Sequence, residues 1–169
     1  MQKSKKRKIV TGIIFAIYFV LLVWLILFKF SISIQNMGHY RNINLIPFHD
    51  SLILNGRIDL SEIIYNIIVF IPLGIFWSVL KKKTAIWENI LLGFCVSLAF
   101  EILQYVFAIG ASDITDVIGN TFGCFIGTGL YLILAKICGE KTTLIINVLA
   151  GIGTVLVVGF LSVLLLANR

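Results

Sequence analysis

Five long apolar runs, residues 9–28, 63–80, 87–108, 117–138 and 144–167, limit the forms this chain can take. Each is close to the roughly 20 residues that carry a helix across about 30 Å of hydrocarbon. Water is absent there, so a crossing segment must satisfy its own backbone N–H and C=O groups, and for isolated runs of this length the helix does so. Composition points the same way: 59% of residues are hydrophobic, 13% are charged and the mean hydropathy is +1.03, whereas soluble domains carry about 25% charged residues. The expected fold is an all-α membrane protein of five transmembrane helices forming a single domain over residues 1–169.

Basic residues orient the five spans. Lys3, Lys5, Lys6, Arg7 and Lys8 precede the first, Lys81, Lys82 and Lys83 follow the second, and Lys136 and Lys141 flank the connector after the fourth. The other side receives Lys29, Arg41, Arg57 and Arg169. Cytoplasmic connectors of membrane proteins are enriched in Lys and Arg, so the N-terminus is expected inside and the C-terminus outside. That topology accounts for the net charge of +6 and removes the need for a nucleic-acid partner. A signal peptide opens in the same way, but its apolar core has about 7–15 residues and a small-x-small cleavage site follows it. Here a longer run leads into Lys29-Phe-Ser-Ile-Ser, and an uncleaved first span is expected.

Residues 29–61 form the longest connector, expected as a partly ordered outer loop between helices 1 and 2. Within it, Pro47 biases Ile46 towards an extended backbone. Leu45, Ile46 and Phe48 offer apolar surface beside Asn44, His49 and Asp50, so this piece is expected either to cap the helix ends or to be a plain loop with a hydrophobic anchor. Asn55-Gly56 is a turn signal. In the second span Pro72 frees the carbonyl of Ile68 and bends the helix, which neighbouring helices can compensate.

The polar residues inside the runs are the candidates for chemistry. Gly93, Ser97 and Glu101 fall four apart and Gln104 three further on, so helical geometry puts them on one face. Glu101 sits about 10 Å below the outer boundary at 1.5 Å per residue, a depth at which acidic side chains are rare without a partner or a task. If the segment from about Asp113 is helical, Asp113, Asp116 and Asn120 share one face. The short connector 109–112 then makes spans three and four a hairpin whose polar sets meet. Asn66, one turn inside the second span, wants a partner across an interface, with Asp116 and Asn120 as candidates. The bland account is that the two aspartates cap a helix and complement its dipole. Gly119, Gly123 and Gly127 recur every fourth residue and admit a close backbone, either within the chain or from a second copy in a homo-oligomer.

Three cysteines within or at the ends of spans read as small apolar residues. His39, His49, Asp50, Asp113 and Asp116 lie on the outer side, but no close ligand spacing such as HExxH or CxxC supports a metal site. No metal and no cofactor is expected.

In order, Asn44-Leu-Ile-Pro-Phe48, Asn66 with Phe70-Ile-Pro-Leu-Gly74, Glu101-x-x-Gln104 and Asp113-x-x-Asp116-x-x-x-Asn120-x-x-Gly123 resemble the VanZ-like family of bacterial membrane proteins. The resemblance covers residues 44–129. Many members carry an arginine after the connector glycine, where this chain has Ala111 after Gly110. The resemblance implies a multi-pass protein of the bacterial plasma membrane, in a family whose named representative gives low-level resistance to the glycopeptide teicoplanin. The expected function is binding of an envelope component or the antibiotic in an outward polar cleft. Its expected ligand residues are Asn44, Pro47, Phe48, His49, Asn66, Glu101, Gln104, Asp113, Asp116 and Asn120. The expected partners are membrane lipids and a cell-wall precursor or lipoglycopeptide. The alternative is a membrane-embedded enzyme acting on a lipid-linked or cell-wall precursor, with Glu101 as general acid or base and Asp113 or Asp116 orienting it or a bound cation. A proton-coupled carrier is a third reading, disfavoured by the lack of inverted repeats.

Overall fold

The computed structural model describes residues 2–28, 40–48, 53–54, 57–58, 60–81 and 85–167. Each apolar run is the body of an α-helix: α1 (Gln2–Phe28), α2 (Ser61–Lys81), α3 (Ile86–Phe107), α4 (Ile114–Cys138) and α5 (Thr142–Ala167). A 3-10 turn, Gly139–Lys141, joins the last two. Among the described residues four helical stretches are long and apolar enough to cross a membrane, Lys5–Leu27, Ser61–Lys81, Ile86–Phe107 and Ile114–Val163. The last comprises α4, the 3-10 turn and most of α5.

The all-α expectation needs correcting at one end of the bundle. There β1 (Tyr40–Asn44) pairs in parallel with β4 (Ile109–Asp113), in a register running from Tyr40 opposite Ile109 to Asn44 opposite Asp113. The connector 109–112 is therefore a strand and not a bare turn. Left-handed Ala108 (φ 55°) ends α3, and its N–H closes the last turn onto the carbonyls of Gln104 and Tyr105, turning the chain into the strand. The pairing joins segments far apart in sequence, which local periodicity does not register. A second antiparallel pair, β2 (Ile53–Leu54) with β3 (Arg57–Ile58), flanks Asn55-Gly56; those two residues lie outside the described residues.

Side-chain contacts define two ends. At the basic end Arg7 donates to the Glu140 carbonyl (3.2 Å), Lys8 to the Leu80 carbonyl (2.9 Å), and Lys81 pairs with Glu88 (2.9 Å). Buried Thr11 donates to Asn147 Oδ1 (2.8 Å), tying α1 to α5. At the strand end Gln104 Nε2 donates to the Ile26 carbonyl (3.0 Å), tying α3 to α1.

Helix α4 is the axis of the bundle and packs most extensively against α2, then α3. Its glycines explain the α2 contact. A β-carbon on Gly123 or Gly127 would collide with the backbone carbonyl of Ile67 or Ile71, and one on Gly74 with that of Cys124. On the α3 side a Gly93 β-carbon would come within 2.6 Å of Cys124 Cβ. Fully buried Cys124 thus sits between glycines of two neighbouring helices. Gly119, Gly123 and Gly127 face α2 within the chain. Around it Leu22, Ile26, Phe70, Leu73 and Phe100 form the apolar core.

Gly127→Ala should lower the unfolding midpoint in detergent by the equivalent of about 1–3 kcal/mol of overpacking. Gly119→Ala, whose new methyl meets Asn66 Cβ at an ordinary 3.6 Å, should be close to neutral. Equal effects at the two positions would refute the close-contact assignment.

Candidate functional site

The polar residues of the spans collect near the strand end. Glu101 is buried on α3, and its Oε2 accepts from the backbone N–H of Asp113 (2.9 Å) while the Ser112 hydroxyl donates to the Glu101 carbonyl (2.8 Å). Strand β4 is therefore stitched back onto the helix it has just left. On α4, Asp116 Oδ1 accepts from Asn66 Nδ2 of α2 (2.7 Å), one of the two partners expected for that carboxamide. Asn120, one turn deeper, pairs instead with Ser97: its Nδ2 lies 2.8 Å from Ser97 Oγ of α3. The stripe of Gly93, Ser97 and Glu101 faces α4 along its length, as the four-residue spacing requires.

Asp113 departs from the expected geometry. It is extended (φ −121°, ψ 125°), precedes the first turn of α4 and does not share a helix face with Asp116 and Asn120. Its Oδ1 accepts from Thr115 N (2.7 Å), which makes it the N-cap, and its Oδ2 accepts from Asn44 Nδ2 (3.2 Å). An aspartate here satisfies one of the orphan N–H groups of the first turn. The capping account thus holds for Asp113, whereas Asp116 reaches across to α2.

The Asn44 to Phe48 segment is built onto the same helix start. Asn44 is buried, and its Oδ1 accepts from Ile46 N (3.1 Å) in a local turn. Phe48, in a left-handed conformation (φ 64°), donates its N–H to the hydroxyl of fully buried Thr115 (3.0 Å). Pro47 is exposed in that turn. His49 lies outside the described residues.

A cavity of about 130 Å³ lies where four helices converge, lined by Leu25 and Ile26 of α1, Glu62, Tyr65 and Asn66 of α2, Glu101 and Gln104 of α3, and Asp116 and Asn120 of α4. Five of the expected ligand residues meet here: Asn66, Glu101, Gln104, Asp116 and Asn120. Asn44, Pro47, Phe48 and Asp113 do not line it; Asn44, Phe48 and Asp113 hydrogen bond around the start of α4. Glu62 and Tyr65 were missed as site residues. The signal for Glu62 was its place one turn before Asn66, whereas Tyr65 reads in sequence as an ordinary interfacial aromatic. Among the described residues no group of three His, Cys, Asp or Glu comes together as a metal set.

A second polar knot sits towards the basic end. Asn89 Nδ2 lies 2.8 Å from Ser78 Oγ and 3.0 Å from Thr128 Oγ1, and the Cys124 thiol donates to the Asn89 carbonyl (3.2 Å). It joins α2, α3 and α4 inside the apolar zone, where a buried carboxamide needs partners.

Asn caps a helix about as well as Asp but would set an NH2 group against Asn44 Nδ2, so Asp113→Asn should destabilise less than Asp113→Ala, whose lost cap alone costs about 1 kcal/mol. Destabilisation by Asn as large as by Ala, read as the unfolding midpoint in detergent, would show that the acceptor facing Asn44, and not the cap, is what matters.

The VanZ/LLP1 family profile matches residues 15–135, which contain the strand pair and every cavity-lining residue. Protein VanZ of Enterococcus faecium is 40% identical over 136 residues, covering 79% of this chain and 81% of that protein. No solved structure matches the chain significantly. With a profile running through the whole four-helix site and that identity along most of both chains, this protein belongs to the VanZ/LLP1 family of membrane proteins.

Proposed function

We propose that the chain is a five-span protein of the bacterial plasma membrane, amino end inside, that lowers sensitivity to teicoplanin-type antibiotics by binding an envelope component or the antibiotic in its outer polar cavity. The observation that carries the reading is the cavity itself. Side chains from α2, α3 and α4 bring three carboxyls and three carboxamides to one small space beside α1. So dense a polar set within apolar helices is costly in a bilayer and marks functional positions by default.

The five-span count is supported by the break at Gly139–Lys141. A straight helix of 50 residues would be about 75 Å long, far more than a bilayer requires. Gly139 (φ 52°) ends α4, and Asn147 of α5 donates to the Arg7 carbonyl (2.9 Å) at the start of α1. The start of α5 therefore lies beside the basic end, and α5 runs from there as α1 does. The cluster of Arg7, Lys8, Lys81, Lys136 and Lys141 favours that end in the cytoplasm, which leaves the cavity on the outer side. An alkaline phosphatase fused after Ala167 should be active and one fused within Gly139–Lys141 inactive; the reverse pattern would overturn the orientation.

The functional test is growth inhibition by teicoplanin in a Gram-positive host, with variants matched for membrane abundance. The wild type should protect. Asp116→Ala removes a carboxylate from the cavity lining; a charge-assisted hydrogen bond from it to a ligand would be worth about 1.5–3 kcal/mol, or tenfold or more in affinity, so most of that protection should be lost. Glu101→Gln keeps shape and one acceptor oxygen and should be milder. Complete loss with Glu101→Gln at normal abundance would favour acid–base chemistry at Glu101 over binding.

A further inference from the structure

We infer that the group received by the cavity is a hydroxylated end, a diol of glyceryl size, held by the side-chain amides of Gln104 and Asn120. This rests on the reading of the cavity as a ligand site and names the chemical class of what enters it.

Two amides in the cavity wall are unfinished. Gln104 (3% exposed) on α3 and Asn120 (1% exposed) on α4 both line the cavity, and each keeps a carbonyl oxygen with no hydrogen-bond partner. Buried acceptors are rarely left in that state. The orientation of Gln104 is forced: its Nε2 faces the Ile26 carbonyl, which can only accept, so Oε1 is turned the other way. Another such oxygen, Asn89 Oδ1, belongs to the knot towards the basic end and does not line the cavity. An open acceptor beside open space is therefore what sets Gln104 and Asn120 apart.

The same amides have protons to spare. An NH2 group carries two, and each of these makes one bond, Gln104 Nε2 to the Ile26 carbonyl (3.0 Å) and Asn120 Nδ2 to Ser97 Oγ (2.8 Å). A group that completes either side chain has to donate to its oxygen and accept from its nitrogen. A hydroxyl does both, whereas an ammonium only donates and a phosphate oxygen only accepts. Two amides on two helices call for two hydroxyls. The match involves the amides alone and holds whatever the charge on the neighbouring carboxyls.

Size and access limit what carries the hydroxyls. At about 30 Å³ for each water-sized group, 130 Å³ holds roughly four. A glyceryl end fits, and a sugar ring or a peptide does not. Exposed Glu62 and Tyr65, in the first turns of α2, form the rim, while Gln104 and Asn120 are buried wall. The diol therefore enters end first, and whatever bears it stays outside. A lipid headgroup and a free polyol share this chemistry.

The test uses the full chain in phosphatidylcholine nanodiscs, with binding of monododecyl glycerol, which ends in a free diol, and of its dimethyl ether read by native mass spectrometry. The diol should bind at one site, about tenfold tighter than the ether, which accepts but cannot donate. That comparison is made on the wild type and needs no variant to fold. Gln104→Met keeps the bulk of the side chain without its acceptor, and should bring the diol down to the level of the ether while leaving the ether unchanged. Glycerol in the buffer should displace the diol if the natural group comes from solution and leave it in place if a lipid presents it; both results support the class and assign its source. Equal affinity for diol and ether, a diol-to-ether ratio unchanged in Gln104→Met, or no binding of the diol, which would leave water alone in the cavity, would overturn the inference. Teicoplanin protection that still depends on Asp116 after such a result would leave the binding reading of the cavity standing.

Discussion

The contact between the glycine face of α4 and the backbone of α2 governs the rest of the molecule. Helix association in lipid draws little from the hydrophobic effect and relies on close packing and interhelical hydrogen bonds. Gly123 and Gly127 admit the carbonyls of Ile67 and Ile71, and Gly74 admits that of Cys124. With the two axes held that close and parallel, Asn66 and Asp116 face one another near the start of each helix. The distance between these polar groups follows from a steric allowance one to three turns deeper in the bundle.

Hydrogen bonds then join the third helix to this pair. Glu101 receives the Asp113 N–H, Asn120 meets Ser97, and Asn89 lies between Ser78 and Thr128. These contacts run along the interfaces of α2, α3 and α4 from one end to the other. Each leaves a costly orphan if its partner is lost in a dry interior, so the helices are tied in register as well as packed. The parallel β1–β4 pair closes the strand end by supplying partners to backbone that leaves a helix there. Its position also explains why Asp113 is an N-cap: the chain arrives at α4 in extended form, and a short carboxylate just before the first turn reaches the Thr115 N–H.

Much of the site was legible. A four-residue spacing on α3 and the Asp116–Asn120 spacing on α4 put polar groups on faces that the short connector between the two helices had to bring together. Asn66 finding Asp116 follows from the same reasoning, since a carboxamide inside a span needs a partner. Asp113 was misplaced because the helix face was extended back through residues that form a strand. Asn44 and Phe48 hydrogen bond to the start of α4, a role that local spacing does not show. Both features have one cause, a strand partner some 70 residues away that leaves no local periodicity.

By itself the sequence determined five apolar segments, their helical form and the small or polar stripe on each, because in lipid the backbone must satisfy itself within the segment. It also carried the spacing of the motifs that mark the family. The tertiary structure decided which glycine meets which carbonyl, that α2 lies along the α4 ridge, and that Glu62 and Tyr65 join the cavity. These facts depend on how helices cross and in what register. That is set by contacts between residues distant in the chain, where a shift of one residue turns a helix by about 100° and changes every partner.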